Sequence, residues 1–284
     1  MQPHNIDAYL ERVALPDPGR PNADGLALLQ AAQLRHIPFE NFDIHLGRDI
    51  SLAPAHLFEK LVRRRRGGYC FELNGLFTHV LQAFGYQCQA YVARVIFGRG
   101  SPGPRTHQVL LVRADQREWL VDVGFGGPGL RAPMPLEAGR EDSQDGERFR
   151  LRRDEQLGYV LQKLIAEQWV DLYAFELAAT LPHDFEMANF YMSRYPQSYF
   201  RLNRVAAVQR SWGRVTLLNF ALSIEREGNS NTLELGPGAQ YVSALAEHFG
   251  IELDARYEDL MPTGQRITSD NAPEGPAALR ESDS

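Results

Sequence analysis

Apolar residues change their arrangement near residue 85 of this chain, and that change limits the fold more than any other feature. Before it the spacing is helical. Leu26, Leu28, Leu29, Ala32 and Leu34 mark one helix, which Pro38 stops. A second is expected from Ala55 to Val62. The clearest begins near Cys70, where Leu73, Leu76, Phe77, Val80, Leu81 and Phe84 recur at i, i+3 and i+4, and Gly85 stands where a left-handed C-terminal cap belongs. After it come short runs rich in β-branched and aromatic residues, divided by Gly, Pro and charge clusters. They are Ala90–Phe97, Gln108–Val112, Trp119–Phe125, Arg148–Arg152, Gly158–Leu164 and Trp169–Ala174. These predict an antiparallel sheet or barrel. Val205–Gln209, Arg214–Phe220 and Ala221–Arg226 read as further strands, and Tyr241–Phe249 as a helix. From about Met261 the sequence turns polar and rich in Pro, Gly, Ser and Asp, which predicts a loose tail. Helices first and strands after them make this an α+β chain.

Charge and cysteine content narrow the function. The net charge of −6 argues against a nucleic-acid polymer, whose binding needs a basic stripe to displace counterions. One basic run, Arg63-Arg64-Arg65-Arg66, stands alone and by itself reads as a solvated helix face or loop. The first twenty residues hold no long apolar run, so no secretory signal is expected. No stretch approaches the ~18 apolar residues that a membrane span requires. Two cysteines, Cys70 and Cys88, are no disulfide framework and point to a reducing compartment, the cytoplasm. The sequence leaves a homodimer open.

A cysteine attacks as its thiolate, and an ordinary thiol with a pKa of about 8.5 is only slightly ionised at neutral pH. Cys70 sits in the first turn of the strongest helix, where unpaired N–H groups and the helix dipole stabilise an anion. Gly67 and Gly68 before it let the chain turn sharply. Cys88, in Gly85-Tyr86-Gln87-Cys88, has nothing to activate it and reads as structural. Nucleophilic catalysis also needs a base and a group to orient it. His4, His36, His45, His56, His79, His183 and His248 carry no paired acid signal, whereas His107 opens the strand His107–Ala114. Asp122 lies inside the apolar run Trp119–Phe125, expected as the next strand, where a carboxylate needs a partner. The short hairpin from Arg113 to Glu118 makes these strands neighbours. The Gly124–Gly129 segment matches a dinucleotide-binding pattern, but Leu130-Arg131-Ala132-Pro133 cannot open the helix such a site needs, so it reads as a loop beside the active site. No His-Glu-x-x-His or paired Cys-x-x-Cys occurs, and no metal site is expected.

Arg66-Gly67-Gly68-Tyr69-Cys70-Phe71-Glu72-Leu73-Asn74 closely resembles a signature of the arylamine N-acetyltransferases. So do Ile37–Asp43, Pro104-Arg105-Thr106-His107 and Val121–Gly127, and Pro196–Phe200 is similar to a later family segment. The match runs in register to about residue 225, and the last ~60 residues resemble the family only loosely. The resemblance implies a helical bundle over residues 1–87, an antiparallel β-barrel over 88–190 and an α/β lid with a polar tail over 191–284, around a papain-like core. It implies Cys70 as nucleophile, His107 as its proton partner and Asp122 as the orienting acid, with a structural pair of Glu40 and Arg66. It implies substrate contacts at Phe39, Tyr69, Thr106, Phe125, Gly126 and Phe200. The partners it implies are acetyl-CoA, as a cosubstrate rather than a tightly bound cofactor, and small aromatic amines or hydrazines. An oxyanion site would use backbone N–H groups of Cys70 and of a residue near Thr106. The rival reading is a thiol hydrolase or amidase, which would use the same three residues.

Overall fold

The structure is a computed structural model that describes residues 3–264. Two helices open the chain, α1 (Pro3–Arg12) and α2 (Ala23–His36). Asn22 starts α2 by accepting the Gly25 N–H on its Oδ1 at 2.9 Å. A two-residue strand β1 (Phe39–Glu40), a short helix α3 (Phe42–His45) and α4 (Pro54–Phe58) follow. The expected helix over Ala55–Val62 is present as α4 and a π turn, Glu59–Arg63, that continues it. Then comes α5 (Cys70–Ala83), the helix that the periodicity marks most clearly. Leu73, Leu76, Phe77, Val80 and Leu81 are all buried on α5, and Leu26 and Leu29 of α2 pack into the same core. Gly85 has φ of 88° just beyond the helix end, the left-handed geometry that its position predicts.

Eight strands follow with one helix-free frame: β2 (Gln87–Val95), β3 (Arg105–Ala114), β4 (Arg117–Val121), β5 (Met134–Pro135), β6 (Glu141–Gln144), β7 (Glu147–Asp154), β8 (Gly158–Ile165) and β9 (Gln168–Phe175). Their order in space is β5-β4-β3-β2-β9-β8-β7-β6, antiparallel throughout, and the sheet coils into a nearly closed barrel. Asp115 and Gln116 both take positive φ at the β3–β4 turn, a two-residue hairpin that suits the strand twist. Next are α6 (Pro182–Arg194) and α7 (Tyr199–Leu202). Strands β10 (Val205–Arg210), β11 (Gly213–Leu218), β12 (Ala221–Arg226) and β13 (Asn229–Glu234) extend β1 into a second antiparallel sheet, β1-β10-β11-β12-β13. Helix α8 (Ala239–Ala244) continues as a π turn to Phe249 and packs on that sheet through Tyr241, Leu245 and Phe249.

Three features depart from the sequence reading. Helix α6 carries no one-sided apolar pattern, because Met187 and Phe190 are exposed while Ala188 and Met192 are buried, and α7 has only four residues, too few to show one. Strand β13 is exposed along its whole length and polar at its start, so no alternation marks it. The expected strand Trp119–Phe125 ends at Val121. Its continuation peels away because the Asp122 carboxylate accepts the Gly124 N–H at 2.8 Å, a local turn that competes with the ladder. The division at residues 87 and 190 stands as a proposal; its second boundary falls inside α6. The loose tail expected after Met261 lies, from residue 265 on, outside the described residues. Among the described residues no helix is long and apolar enough to cross a membrane.

Candidate active site

Helix α5 begins at Cys70, so the N–H groups of its first turn have no acceptor within the helix. Tyr69 precedes it in extended conformation and donates its N–H to Glu72 Oε2 at 3.1 Å, which fixes where the helix starts. The glycines before it are required by space. A Cβ on Gly67 would lie 2.2 Å from the Pro38 carbonyl oxygen, and one on Gly68 would lie 2.8 Å from Glu72. Cys70 is buried, and its Sγ stands 3.7 Å from the Thr106 carbonyl oxygen. Thr106 owes this orientation to a bulge in β3: Arg94 pairs with Arg105 and Ala93 with His107, which leaves Thr106 as the extra residue. It thus turns a carbonyl toward Sγ.

His107 and Asp122 meet directly, with Nε2 and Oδ2 2.7 Å apart and both side chains buried. Asp122 keeps Oδ1 for the Gly124 N–H and for Asn74 Nδ2 at 3.0 Å. With Nε2 taken, Nδ1 is the ring nitrogen left for Cys70. Burial alone would pull the imidazole down, but the charge and hydrogen bond of Asp122, then those of Cys70, raise it to about 10. His107 therefore carries its proton through neutral pH. The folded state holds that proton where the unfolded chain, near 6.5, has released it, so stability falls as pH rises. We expect urea unfolding to show this contribution intact below about pH 6.5 and lost through about pH 10. A His107→Gln variant should flatten that part of the profile; an unchanged slope would refute the assignment.

The Arg63–Arg66 run divides sharply. Arg63, Arg64 and Arg65 are exposed, whereas Arg66 is buried with 2% of its side chain accessible. Arg66 meets Glu40 Oε1 at 2.8 Å and Asp43 Oδ1 at 3.2 Å. Lys60 bridges Asp43 and Glu72, at 2.7 Å each. A line of charges therefore runs from β1 to the carboxylate that caps the Cys70 helix. Desolvation would raise Asp43, yet Lys60 and Arg66 hold it down to about 2. The family resemblance implied the pair of Glu40 and Arg66; no local pattern joins Asp43, Lys60 and Glu72 to it, because they come from separate turns of the chain.

Aromatic rings close one side. Phe39 and Phe200 have centroids 5.7 Å apart, Tyr69 stands 5.7 Å from Phe200, and Phe125 stands 5.3 Å from the His107 ring. Gly126, at φ of 80°, lies against the Phe39 ring, where a Cβ would come 3.5 Å from it. Tyr69 is fully buried and donates its hydroxyl to Asn189 Oδ1, so it backs this wall from behind. Tyr173, which the sequence reading did not single out, packs 5.0 Å from His107 and 5.1 Å from Phe125. Burial and the charge of Asp122 push its phenol well above its ordinary value. A cavity of about 380 Å³ reaches Thr106 beneath α6, while a larger one of about 540 Å³ lies away from these residues, among hairpin turns and α2. One histidine differs from the sequence reading in its surroundings: His183 pairs with Glu186 on an exposed face, whereas His45, buried against the Asn203 carbonyl, has no acid partner among the described residues. Burial pushes the Cys88 thiol up to about 12, which leaves it unreactive.

A thiol at a helix start, beside an imidazole on a strand that is paired with a carboxylate, is the arrangement of thiol-dependent acyl-transfer enzymes. A family model described as N-acetyltransferase matches residues 22–257. An arylamine N-acetyltransferase / N-hydroxyarylamine O-acetyltransferase of Salmonella typhimurium is 37% identical over 227 residues, 79% of this chain and 80% of that one. The solved arylamine N-acetyltransferase of Salmonella typhimurium superimposes with a TM-score of 0.85 at 34% identity, over 90% of this chain and 94% of that chain. The Mycobacterium marinum arylamine N-acetyltransferase in complex with CoA does so with a TM-score of 0.82 at 35% identity, over 87% and 93%. The chain belongs to the arylamine N-acetyltransferase family.

Proposed function

We propose that this chain transfers acetyl groups from acetyl-CoA to arylamines and arylhydrazines through an acetyl-Cys70 intermediate. The observation that carries the reading is the 2.7 Å His107–Asp122 contact, which leaves Nδ1 for a thiol at the start of α5. The Cys70 thiolate attacks the thioester carbonyl, forming an S–C bond. The C–S bond to CoA then breaks, and CoA leaves with the proton from His107. An amine next attacks the acetyl carbonyl, gives its proton to His107 and displaces the Cys70 thiolate. General-base help of this kind is typically worth about 10²–10⁴-fold. The first-turn N–H groups of α5 would stabilise the oxyanion in both halves, and one such donor is worth roughly 2.7–4 kcal/mol. Phe39, Phe125 and Phe200 suit flat aromatic acceptors, with Tyr69 and Gly126 shaping the wall behind them. O-acetylation of N-hydroxyarylamines would draw on the same intermediate. The unpaired Cys70 and Cys88 support a cytoplasmic setting. Brief exposure to acetyl-CoA alone, followed by mass spectrometry of peptides, tests the first half. An acetyl adduct on the Cys70 peptide is expected, and an adduct elsewhere or none would overturn the proposal. After the one equivalent of CoA released on acetylation, continued release should depend on added amine; continued turnover of acetyl-CoA without amine would indicate a hydrolase.

A further inference from the structure

We propose that Asn74 is a positioning residue: it ties the helix that carries Cys70 to the strand of His107 and fixes the Asp122 carboxylate so that Oδ2 alone meets the imidazole. The inference rests on the reading of Cys70, His107 and Asp122 given above. Asn74 lies one helical turn after Cys70 and is fully buried. Its Nδ2 donates to the Gln108 carbonyl at 2.7 Å and to Asp122 Oδ1 at 3.0 Å. Its Oδ1 accepts the Val123 N–H at 3.1 Å. Both neighbours of Nδ2 are acceptors and the neighbour of Oδ1 is a donor, so the amide has one possible orientation. One side chain thus holds the residue after His107, the acid itself and the residue after the acid.

The packing around it allows little slack. A Cβ on Gly124 would lie 2.6 Å from Asn74 Nδ2 and 2.7 Å from the Cys70 Cα, so the loop after Asp122 rests directly on the helix. Leucine or glutamine in place of Asn74 would have to move that loop. Asp122 alone could rotate about its own side-chain bonds and present either oxygen to His107. With Oδ1 held by Asn74 and the Gly124 N–H, Oδ2 is the oxygen left over. Cys70, on the same rigid helix, is then set against a ring whose own orientation is fixed.

Asn74→Asp provides a test that a purely structural role would not pass. The titratable groups around this spot are Cys70 and Glu72 on α5, His107 on β3, Asp122 after β4 and Tyr173 on β9, while α2 presents the neutral Gln30 and Gln33. Protonated, the new carboxyl can give its one O–H to Asp122 and accept from Val123, so it keeps the two contacts to the acid and its loop and loses the one to the Gln108 carbonyl. Ionised, it sets a second negative charge beside Asp122, and two carboxylates that close cannot both stay charged without disturbing the pair. Single-turnover acetylation of Cys70 by acetyl-CoA is the measurement, from pH 5.5 to 9, with circular dichroism checking the fold at each pH. The Asp variant is expected to approach the wild-type rate at the acid end and to fall about 10²-fold below it at the alkaline end, the usual cost of misplacing a reacting group by about 1 Å. Asn74→Ala is expected to lose a similar factor at every pH, with the KM for acetyl-CoA little changed. An Asp variant that tracks the wild type at all pH values, or an Ala variant that acetylates at the wild-type rate, would overturn the proposal. Cys70→Ala, run alongside, separates the two readings: if that variant still transfers acetyl groups, the reading of the triad fails, whatever Asn74 does.

Discussion

Cys70→Ala is expected to abolish acetyl transfer, lowering kcat by about 10⁴–10⁶-fold, because removing the nucleophile of a triad removes the covalent route altogether. Its effect on stability should be small. Cys70 is buried, but the change deletes one sulfur atom next to the Thr106 carbonyl and leaves the start of α5 held by the Tyr69–Glu72 hydrogen bond. Thermal melting and steady-state transfer from acetyl-CoA to an arylamine, measured on the same preparation, check both halves. Transfer at an undiminished rate would remove Cys70 from the mechanism. A large fall in melting temperature would instead show that the thiol has a packing role beyond the one its contacts describe.

The second large effect is expected from Arg66→Gln, and it is an effect on folding. Arg66 is one of four consecutive arginines, yet only it is buried, against Glu40 with no exposed side chain and against Asp43. Removing one partner of a buried pair leaves the other charge uncompensated, at a cost of about 3–5 kcal/mol. That is a large share of the roughly 5–15 kcal/mol that keeps a typical protein folded. Asp43 would lose one of the cations that hold its carboxyl low, and Lys60 would become the main cation facing three acids. Urea unfolding should therefore show a much lower midpoint. Arg63→Gln is the control: its side chain is 57% exposed and its Glu59 partner lies 3.9 Å away, so it should change stability by about 0.5 kcal/mol or less. Equal midpoints for the two variants would contradict the burial of Arg66.

Part of this outcome was legible in the chain. The spacing of Leu73, Leu76, Phe77, Val80 and Leu81 makes α5 a buried helix wherever the rest of the chain goes, and Gly85 ends it. The β-branched and aromatic runs after residue 85 mark most of the barrel strands for the same local reason. The segments that escaped notice lack such local preference: β13 is exposed and polar at its start, and α6 spreads its large apolar residues around the helix. The end of β4 also escaped, because the hydrogen bond from the Gly124 N–H to Asp122 is a contact between side chain and backbone that hydrophobic pattern does not register.

The site shows the same division. The sequence by itself determined which residue types were available: a thiol at a helix start, a histidine at the start of a strand, an acid in an apolar run, and two glycines where the chain turns. Those are properties of short segments, governed by helix termini, turns and the cost of a lone buried charge. Only the tertiary structure decided how they meet. It turned the Thr106 carbonyl toward Sγ through a strand bulge, assigned Oδ2 of Asp122 to Nε2 of His107, and added Asp43 to the acids around the buried Arg66. It also brought Asn74, Lys60 and Tyr173 to these groups from three different elements. Such contacts join residues far apart in the chain, and their energies depend on burial and on distances of about 3 Å that no local pattern encodes.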